Sequence, residues 1–406
     1  MSAVDVRETA KKAENKPSAI GPDVDLNAFS EEAKEHPKVQ KLNELSNEVK
    51  EKAISVGIDA EETCRSGSFF QMDHSVILSC AYQKGIEVMS SSEALKKYDW
   101  LSDYWWKAVK VDEDKYTARA ELKQNHGYFL RALPGAKVEF PLQACLFMTH
   151  EGLAQNVHNV IIAEEGSELH IITGCTTAPR VRTGLHIGIS EFYVKKNAQV
   201  TFTMIHNWAK DVEVRPRTGA IIEDNGSFLS NYVCMKPVKT LQMYPTAYCM
   251  GEKATVIFNT ILFAAEGSNM DVGARVFLRA KGSRAELVAR AISRGGDIVT
   301  RGHLIGEVPG IKGHLECRGL ILSEKGRIHA IPELEGKVSG VDMSHEAAVG
   351  KIAEEEIQYL MARGLNSDEA TSAIVRGFLD VEIKGIPEHL KKEIKKAVSM
   401  GEERLM

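Results

Sequence analysis

The feature of this 406-residue sequence that most constrains its fold is a series of similar polar turns between short strand-like segments. Each turn places Gly or Asn where the chain needs a positive φ, and a run rich in Val, Ile, Phe and Thr follows it. The first three turns, at Gly166, Asn197 and Gly226, are about 30 residues apart, a period typical of repeat folds. Such segments are too thin to bury their own faces, so they predict the stacked turns of a solenoid.

We therefore predict a mainly β protein whose core, residues 121–341, is a β-solenoid. Residues 1–120 are expected to form an N-terminal region of helical and mixed structure, and residues 342–406 a C-terminal helical region. A β-sandwich is the alternative for the core. A doubly wound α/β fold is disfavoured, because no long helical stripe lies between the strand-like runs.

The N-terminal region shows helical periodicity over residues 30–56, where apolar residues recur at spacings of three and four. Gly57 is expected to end this helix as a C-terminal cap. The sequence before Leu26 is polar, and we expect it to be poorly ordered. The aromatic residues that are expected to pack this region against the core are Trp100, Tyr104, Trp105 and Trp106.

The C-terminal region shows helical periodicity after Ser344. Asn366 and Glu369 have the spacing of a capping box, and a last amphipathic helix is predicted from Pro387. These helices are expected either to cap an open β edge, since unpaired edges invite aggregation, or to dock a partner.

Composition and charge exclude several classes of function. The formal net charge of −5 gives no general electrostatic reason to bind nucleic acid, which requires clustered Lys and Arg. Residues 1–17 are charged and have no apolar segment of a secretory signal, and no apolar run approaches the roughly 20 residues that span a bilayer. The sequence therefore predicts a cytoplasmic protein without a membrane or nucleic-acid partner.

The cysteines argue for free thiols rather than a disulfide framework. There are seven, an odd number, and they are widely spread with no C-x-x-C pair. Sequence motifs for a phosphate-binding loop, a serine nucleophile elbow, a zinc helix and an EF-hand are also missing. Five cysteines are interpreted as structural: Cys64, Cys80, Cys145, Cys234 and Cys249.

The candidate functional residues are soft metal ligands in two groups. Cys175 precedes His186, and Cys317 precedes His345 and Glu346. Thiolate suits iron and sulfur species, and imidazole is compatible with iron. Cys317 and His345 are separated by about one turn of the predicted solenoid, so the two residues could lie on adjacent strands. A buried core residue is the alternative for either cysteine.

Several segments resemble the SufB/SufD family, the scaffold proteins of the SUF machinery for iron–sulfur cluster assembly. These segments are Gly-Cys-Thr-Thr-Ala-Pro at 174–179, Ile-His-Asn-Trp at 205–208, Cys-Arg-Gly-Leu-Ile-Leu at 317–322, Ala-Ile-Pro-Glu-Leu-Glu at 330–335, and Ser-His-Glu-Ala-Ala-Val-Gly at 344–350. The resemblance implies a right-handed parallel β-helix with helical N- and C-terminal regions. It also implies a SufC-type ATPase as a partner, so that ATP hydrolysis resides in a separate subunit.

The resemblance implies a role for each candidate residue. Cys175 would accept persulfide sulfur from a sulfur donor, with His186 near the sulfur path, and Cys317 would receive that sulfur at a dimer interface. Cys317, His345 and Glu346 would be the ligands of a transient iron–sulfur cluster. The segment 343–350 combines SufB-like and SufD-like features, so we expect a second scaffold copy, as a homodimer, or a paralogue.

The sequence thus predicts a scaffold protein, rather than an enzyme, that accepts iron and sulfur and releases a nascent cluster. The residues predicted to dock the ATPase are Ile357, Leu360, Ile374 and Phe378. One alternative is a SufD-like structural partner that completes the assembly interface without ligating a cluster. A carbohydrate-active β-solenoid enzyme is a second alternative, which would need a carboxylate cluster on one sheet.

Overall fold

The strand-like segments stack into a parallel β-helix of about eight turns, in a computed structural model that describes residues 3–236 and 238–379. The register of neighbouring strands gives the length of a turn directly. Glu168 lies beside Gln199, which is 31 residues later, and Arg284 lies beside Lys312, which is 28 residues later. The prediction of a mainly β solenoid is therefore confirmed, and the β-sandwich alternative is wrong because strands one turn apart pair in parallel.

The strands, in chain order, are β1 Gly67–Met72, β2 Ser75–Ala81, β3 Ile86–Ser90, β4 Tyr128–Ala132, β5 Leu142–Met148, β6 Leu153–Ala163, β7 Glu168–Thr177, β8 Thr183–Val194, β9 Gln199–Asn207, β10 Asp211–Val214, β11 Arg217–Ile222, β12 Ser227–Cys234, β13 Thr240–Met243, β14 Thr246–Cys249, β15 Thr255–Ala265, β16 Asn269–Leu278, β17 Arg284–Arg294, β18 Asp297–Gly306, β19 Lys312–Ile321, β20 Arg327–Gly336 and β21 Asp342–Lys351. The α-helices are α1 Ala3–Lys12, α2 Asn47–Ile54, α3 Ser91–Lys97, α4 Lys115–Leu122, α5 Glu354–Met361 and α6 Ser367–Leu379. Short 3-10 helices are Leu26–Ala28, Leu42–Glu44 and Asp99–Asp103.

Two sheets form the walls of the β-helix. Sheet 1 has the order β2-β1-β5-β7-β9-β12-β15-β17-β19-β21, and sheet 2 runs from β3 and β4 through β6, β8 and β16 to β18 and β20. The antiparallel pairs β1/β2 and β3/β4 close the N-terminal end. Among the described residues, β20 and β21 pair with no further strand. Over residues 3–236 and 238–379, the β-helix therefore has one closed end and one open end.

The predicted turns connect one sheet to the other, and each contains a residue with a positive φ angle. The residues with positive φ in the six turns are Gly166, Asn197, Asn225, Gly267, Gly282 and Gly326. In the third turn Asn225 takes this conformation rather than Gly226. Gly226 is needed there for space, because a Cβ on it would lie 2.8 Å from Cγ2 of Ile222.

The interior of the β-helix is filled by inward-facing apolar side chains, many of them aromatic. Phe192 contacts both Phe202 and Phe228, with ring centroids 4.8 Å apart in each pair. Phe228 and Phe258 continue the series at 5.9 Å. Each fully buried Phe contributes about 1.5–3 kcal/mol relative to an exposed one, so these stacks hold successive turns together.

The N-terminal region packs on the outer face of sheet 2, and the predicted aromatic residues take part in this contact. The rings of Trp105 and Trp106 lie 3.7 and 4.3 Å from His158 on β6. Glu191 on β8 is fully buried and accepts hydrogen bonds from the backbone N–H groups of Trp106, Ala108 and Val109. A buried carboxylate with this many donors fixes the aromatic segment to the β-helix.

Two predictions for the N-terminal region are wrong. The polar segment before Leu26 is ordered: helix α1 spans Ala3–Lys12, and its residues Val6 and Ala10 are buried. The long helix predicted over 30–56 is confined to α2, Asn47–Ile54, followed by Gly57 at φ +83°. Residues 31–40 instead follow the hairpin of β1 and β2, because hydrogen bonding to that edge outweighs a weak helical preference.

The change to helical structure also comes later than predicted. Residues Asp342–Lys351 form strand β21 and extend the β-helix past the boundary that we placed at 341. The predicted capping box is confirmed, since Asn366 and Glu369 exchange side-chain and backbone hydrogen bonds at the start of α6. The helix predicted from Pro387 lies outside the described residues.

Within residues 3–236 and 238–379, no helix has both the length and the apolar character needed to cross a membrane.

Candidate functional sites inside the β-helix

Cys175 faces the interior of the β-helix near the end of β7. Thr173, two residues earlier on the same strand, also faces inward. Its hydroxyl oxygen is 3.1 Å from the hydroxyl oxygen of Tyr128 on sheet 2. The intervening Gly174 faces outward, where a Cβ would lie 2.4 Å from Cγ2 of Val56 after α2. Glycine at this position therefore lets α2 pack tightly over the strand while the Cys175 thiol stays fully buried inside.

Parallel register stacks a histidine and a second cysteine directly above Cys175. His206 on β9 is its register partner, and Cys234 on β12 is the register partner of His206. All three are buried and face inward. The strands are about 4.8 Å apart, so the two thiols are about 10 Å apart with an imidazole between them.

An interior cluster of rings adjoins these thiols. His186 on β8 lies 4.8 Å from the ring of Trp208 and 6.2 Å from that of His206. Nδ1 of His206 is 2.8 Å from the hydroxyl of Tyr232, and Nδ1 of His186 is 3.0 Å from Oε1 of Gln155. Nε2 of His206 and Nε1 of Trp208 are buried without a hydrogen-bond partner. Unpaired buried polar atoms are rare, so this cluster has spare capacity to bind a polar group.

Burial keeps every ionisable group of this cluster neutral. It raises the pKa of Cys175 far above the ordinary value and the pKa of Cys234 to about 12. It lowers the pKa of His186 to about 3 and that of His206 well below its usual range. Because the thiolate is the nucleophile, Cys175 is unreactive in this conformation at neutral pH.

We predict that Cys175 resists alkylation in the folded protein. Iodoacetamide should modify the exposed Cys64 first, and Cys175 at least about 100-fold more slowly, because reaction requires local opening. Opening removes the burial that raises the pKa of Cys175, so the opened thiol should titrate near the ordinary value of about 8.5 and the rate should increase between about pH 7 and about pH 9. Peptide mass spectrometry measures both rates. Equal rates at the two cysteines would contradict the closed geometry.

Cys317 faces inward on β19, which is the second-last strand of sheet 1. It is 3 % exposed and adjoins a small cavity whose lining includes Thr260, Ala289 and Thr300. Burial raises the pKa of its thiol, while a contact with the Thr300 hydroxyl from sheet 2 favours the thiolate. Gly302 is required beside this cavity, because a Cβ there would lie 2.2 Å from Cδ1 of Leu315.

His345 and Glu346 lie on β21, the last strand of sheet 1, but face opposite ways. His345 is the register partner of the inward-facing Leu315, so it shares a face with Cys317 one strand away. The register partner of Cys317 itself is Ala347, which places His345 about 8 Å away along the diagonal. Glu346 lies beside Glu316 on the outer face. One chain therefore brings Cys317 and His345 together, and it leaves Glu346 on the other face.

The two cysteine sites lie far apart along the β-helix axis. Cys175 on β7 and Cys317 on β19 are five strands apart in sheet 1, which corresponds to about 24 Å at 4.8 Å per strand. Both thiols face the same interior column of space, and His206, Tyr232 and Thr260 lie on the inward face of the strands between them. Any transfer between the sites has to pass through this interior.

The predicted docking residues lie on the two C-terminal helices that follow β21. Ile357, Leu360 and Ile374 are half-buried between α5 and α6, and Phe378 packs against the β-helix, with the Arg290 guanidinium 6.0 Å from its ring. The exposed apolar side chains of α5 are Tyr359, at 57 %, and Met361, at 44 %. The role of Ile357, Leu360, Ile374 and Phe378 in docking stays a prediction.

The sequence analysis missed the roles of His206, Tyr232 and Cys234 as neighbours of Cys175. The signal was present, because Cys175, His206 and Cys234 are separated by 31 and 28 residues, the lengths of the turns between them. This spacing becomes informative only when the register of neighbouring strands is known, since a shift of one residue would turn a side chain to the other face of the sheet.

The fold and the buried thiol–imidazole sites together define a β-helix protein with soft ligands in its interior and at its open end. Comparison with known proteins identifies the family of this protein. Residues 146–378 match the family model described as the SUF system FeS cluster assembly SufBD core domain. The chain belongs to the SufBD family of iron–sulfur cluster assembly proteins.

Relatives match along most of the chain. It is 52 % identical over 405 residues to an iron–sulfur cluster assembly SufBD family protein homologue of Methanothermobacter thermautotrophicus, covering 98 % of this chain and 99 % of the relative. A SufBD family protein of Archaeoglobus fulgidus is 53 % identical over 357 residues, covering 88 % and 96 %. The iron–sulfur cluster assembly protein SufB of Bacillus subtilis is 29 % identical over 371 residues, covering 88 % and 78 %.

Proposed function

We propose that this protein is the scaffold on which an iron–sulfur cluster is built and from which it is released. The observation that carries the proposal is the pairing of Cys317 with His345 on one inward face at the open end of the β-helix. A thiolate and an imidazole bind iron, and a mixed ligand set holds a cluster less firmly than four thiolates. The cluster is cargo, so weak ligation serves release to an acceptor.

Sulfur would enter at Cys175 and leave the interior at Cys317. A donor persulfide passes its terminal sulfur to the Cys175 thiolate, the donor sulfur–sulfur bond breaks, and the donor leaves as a thiol. The same exchange carries the sulfur onward, so no net oxidation occurs. The orphaned polar atoms of His206 and Trp208, with His186 beside them, support polar contacts to a persulfide on this route.

A second copy would complete the cluster site. The last turn exposes residues of the inner face, Leu334 on β20 and Val349 on β21, at 37 % and 42 %. A two-fold pairing of open ends buries this core and presents each ligand twice. Glu346 lies on the outer face of its strand, so it would reach the cluster only if the second copy meets that face. A paralogue with the same open end would serve equally.

A separate SufC-type ATPase would supply the work that opens this closed arrangement. Two apolar residues, Tyr359 and Met361, protrude from α5, and three Glu residues stand in its first turn. An apolar patch with an acidic rim is a common form of docking surface.

The docking assignment predicts a selective loss of binding. Tyr359→Asp should weaken ATPase binding at least about tenfold, because it places a charge in the apolar centre of the contact. Isothermal titration with the purified ATPase measures this. Met250→Asp, at a side chain 50 % exposed on the β-helix, is the matched control and should bind normally. Normal binding by Tyr359→Asp and Met361→Asp together would contradict the assignment.

One observation favours a different role, that of a SufD-like structural partner. Within one chain the ligand set is split, since Glu346 and Cys317 lie on opposite faces. The deciding experiment is anaerobic reconstitution of the parent chain with iron and sulfide, read by absorption and Mössbauer spectroscopy. A bound cluster supports the scaffold role. If the chain binds no cluster, either alone or together with its ATPase, the result would contradict the scaffold role and favour the structural role. A cytoplasmic location stays a prediction.

A further inference from the structure

A third group of metal-binding side chains lies outside the β-helix interior, near its N-terminal end. Nε2 of His36 is 2.7 Å from Oδ2 of Asp73, and Nδ1 of His150 is 2.6 Å from the same oxygen. The ligand atoms of all three residues lie within 4.8 Å of one another. Thr149 adds a hydroxyl, 3.1 Å from Nδ1 of His150 and 3.5 Å from Nε2 of His36.

The polar groups of this cluster converge on the Asp73 carboxylate. Oδ2 is contacted by two imidazoles and also accepts the Thr149 hydroxyl at 2.5 Å, while Oδ1 accepts the Thr149 backbone N–H at 2.6 Å. A carboxylate offers about four lone-pair sites on its two oxygens, so these four contacts fill it, and three of them fall on Oδ2. Two imidazole nitrogens that converge on one buried carboxylate oxygen also have the arrangement of ligands around a cation.

The fold holds this group rigidly although its members are distant in sequence. Asp73 forms the tight turn between β1 and β2 with φ +48°, and its backbone N–H donates to the carbonyl of Phe147 at 2.7 Å. His150 is two residues after Met148, the last residue of β5, and lies beside this turn. The backbone N–H of His36 donates to Oγ of Ser75, which fixes the N-terminal segment over the same hairpin.

We propose that His36, Asp73 and His150 form a binding site for a divalent transition-metal ion, of the class of Fe²⁺ or Zn²⁺. Two imidazoles and one carboxylate are a ligand set for non-haem iron and for zinc sites that keep open positions. Asp73 is fully buried, whereas the His36 and His150 side chains are 20 % and 29 % exposed. The ion would therefore be anchored from inside and would keep coordination positions open to solvent.

The site is connected to the interior histidines by a single amide. Nε2 of Gln155 donates to the backbone carbonyl of Asp73 at 2.9 Å, and Oε1 of the same side chain contacts His186 at 3.0 Å. Cys175 is the register partner of Leu146, which lies three residues before Thr149, so the ion would lie about 10 Å from Cys175 along the strand direction. A metal ion here would therefore influence the end of the β-helix that holds Cys175, and the inference stands independently of the cluster role.

The experiment titrates metal-free protein with Co²⁺ and then displaces it with Zn²⁺, following the visible absorption of bound Co²⁺. All proteins carry Cys317→Ser and His345→Gln, so that the other candidate site does not contribute. One Co²⁺ per chain is expected, and His36→Gln and His150→Gln should each weaken binding at least about tenfold. His74→Gln is the matched control: this adjacent histidine contacts the Ala154 carbonyl instead of Asp73 and should leave the affinity unchanged.

Several outcomes would overturn the site. These are no binding near one equivalent, parent-like affinity in both His36→Gln and His150→Gln, or an equal loss in His74→Gln. Circular dichroism checks that each variant is folded. X-ray absorption of the Zn²⁺-loaded protein gives an answer that needs no variant of this site: nitrogen and oxygen neighbours with imidazole scattering support it, and a sulfur shell would overturn it.

Discussion

Replacing Cys317 by Ser is expected to lower the iron and sulfide bound after anaerobic reconstitution at least about tenfold, because a hydroxyl is a poor ligand for the soft iron–sulfur core. The substitution changes little else, since the side chain is nearly isosteric and lies beside a small cavity. Absorption and Mössbauer spectra of parent and variant, normalised to protein, measure the effect.

Cys249→Ser is the matched control for this experiment. Cys249 is also buried in the β-helix, and burial raises its pKa to about 12, but it lies on β14 of sheet 2, away from the open end. The control should reconstitute like the parent. Equal clusters in the parent and in Cys317→Ser would place the site elsewhere, whereas an equal loss in both variants would indicate general damage to the core.

If two copies pair through their open ends as we propose, Val349→Asp is expected to separate them. Val349 lies on the inner face of the last turn and is 42 % exposed in one chain, so a second copy would cover it. Burying an unpaired carboxylate there should weaken association at least about 100-fold. Sedimentation equilibrium over a range of concentrations measures the change.

The fold of the single chain should survive this substitution, because the residue is at the free end and has no strand above it among the described residues. Met250→Asp is again the control for adding a charge at an exposed apolar residue. If Val349→Asp associates like the parent, the open ends are not the interface. If it separates and also loses its cluster, the ligand set is shared between copies.

The β-helix was predictable from the sequence because its turns are determined locally. Asn197 and Gly267 adopt positive φ for reasons that act within a few residues, and the resulting period carries over to the whole core. The pairing of Cys317 with His345 on adjacent strands followed from the same period. The two-residue offset between them did not, because each turn has a slightly different length.

Other features could not be predicted, because they depend on contacts between residues that are distant in the sequence. Helix α1 is ordered by burying Val6 and Ala10, although its sequence is polar. Strand β21 contains the good helix formers Glu346, Ala347 and Ala348, and pairing with β19 overrides their helical preference. The His36, Asp73 and His150 group unites residues 37 and 77 positions apart, and only the turn at Asp73 brings them together.

The unequal ends of the β-helix limit how far copies of this chain can assemble. A solenoid with two exposed ends could add units head to tail without limit and form fibres. Here the antiparallel pairs β1/β2 and β3/β4 terminate one end, so a stack cannot propagate through it. If two open ends pair as we propose, assembly stops after this single contact, and the free strand edges at the open end do not become a route to polymerisation.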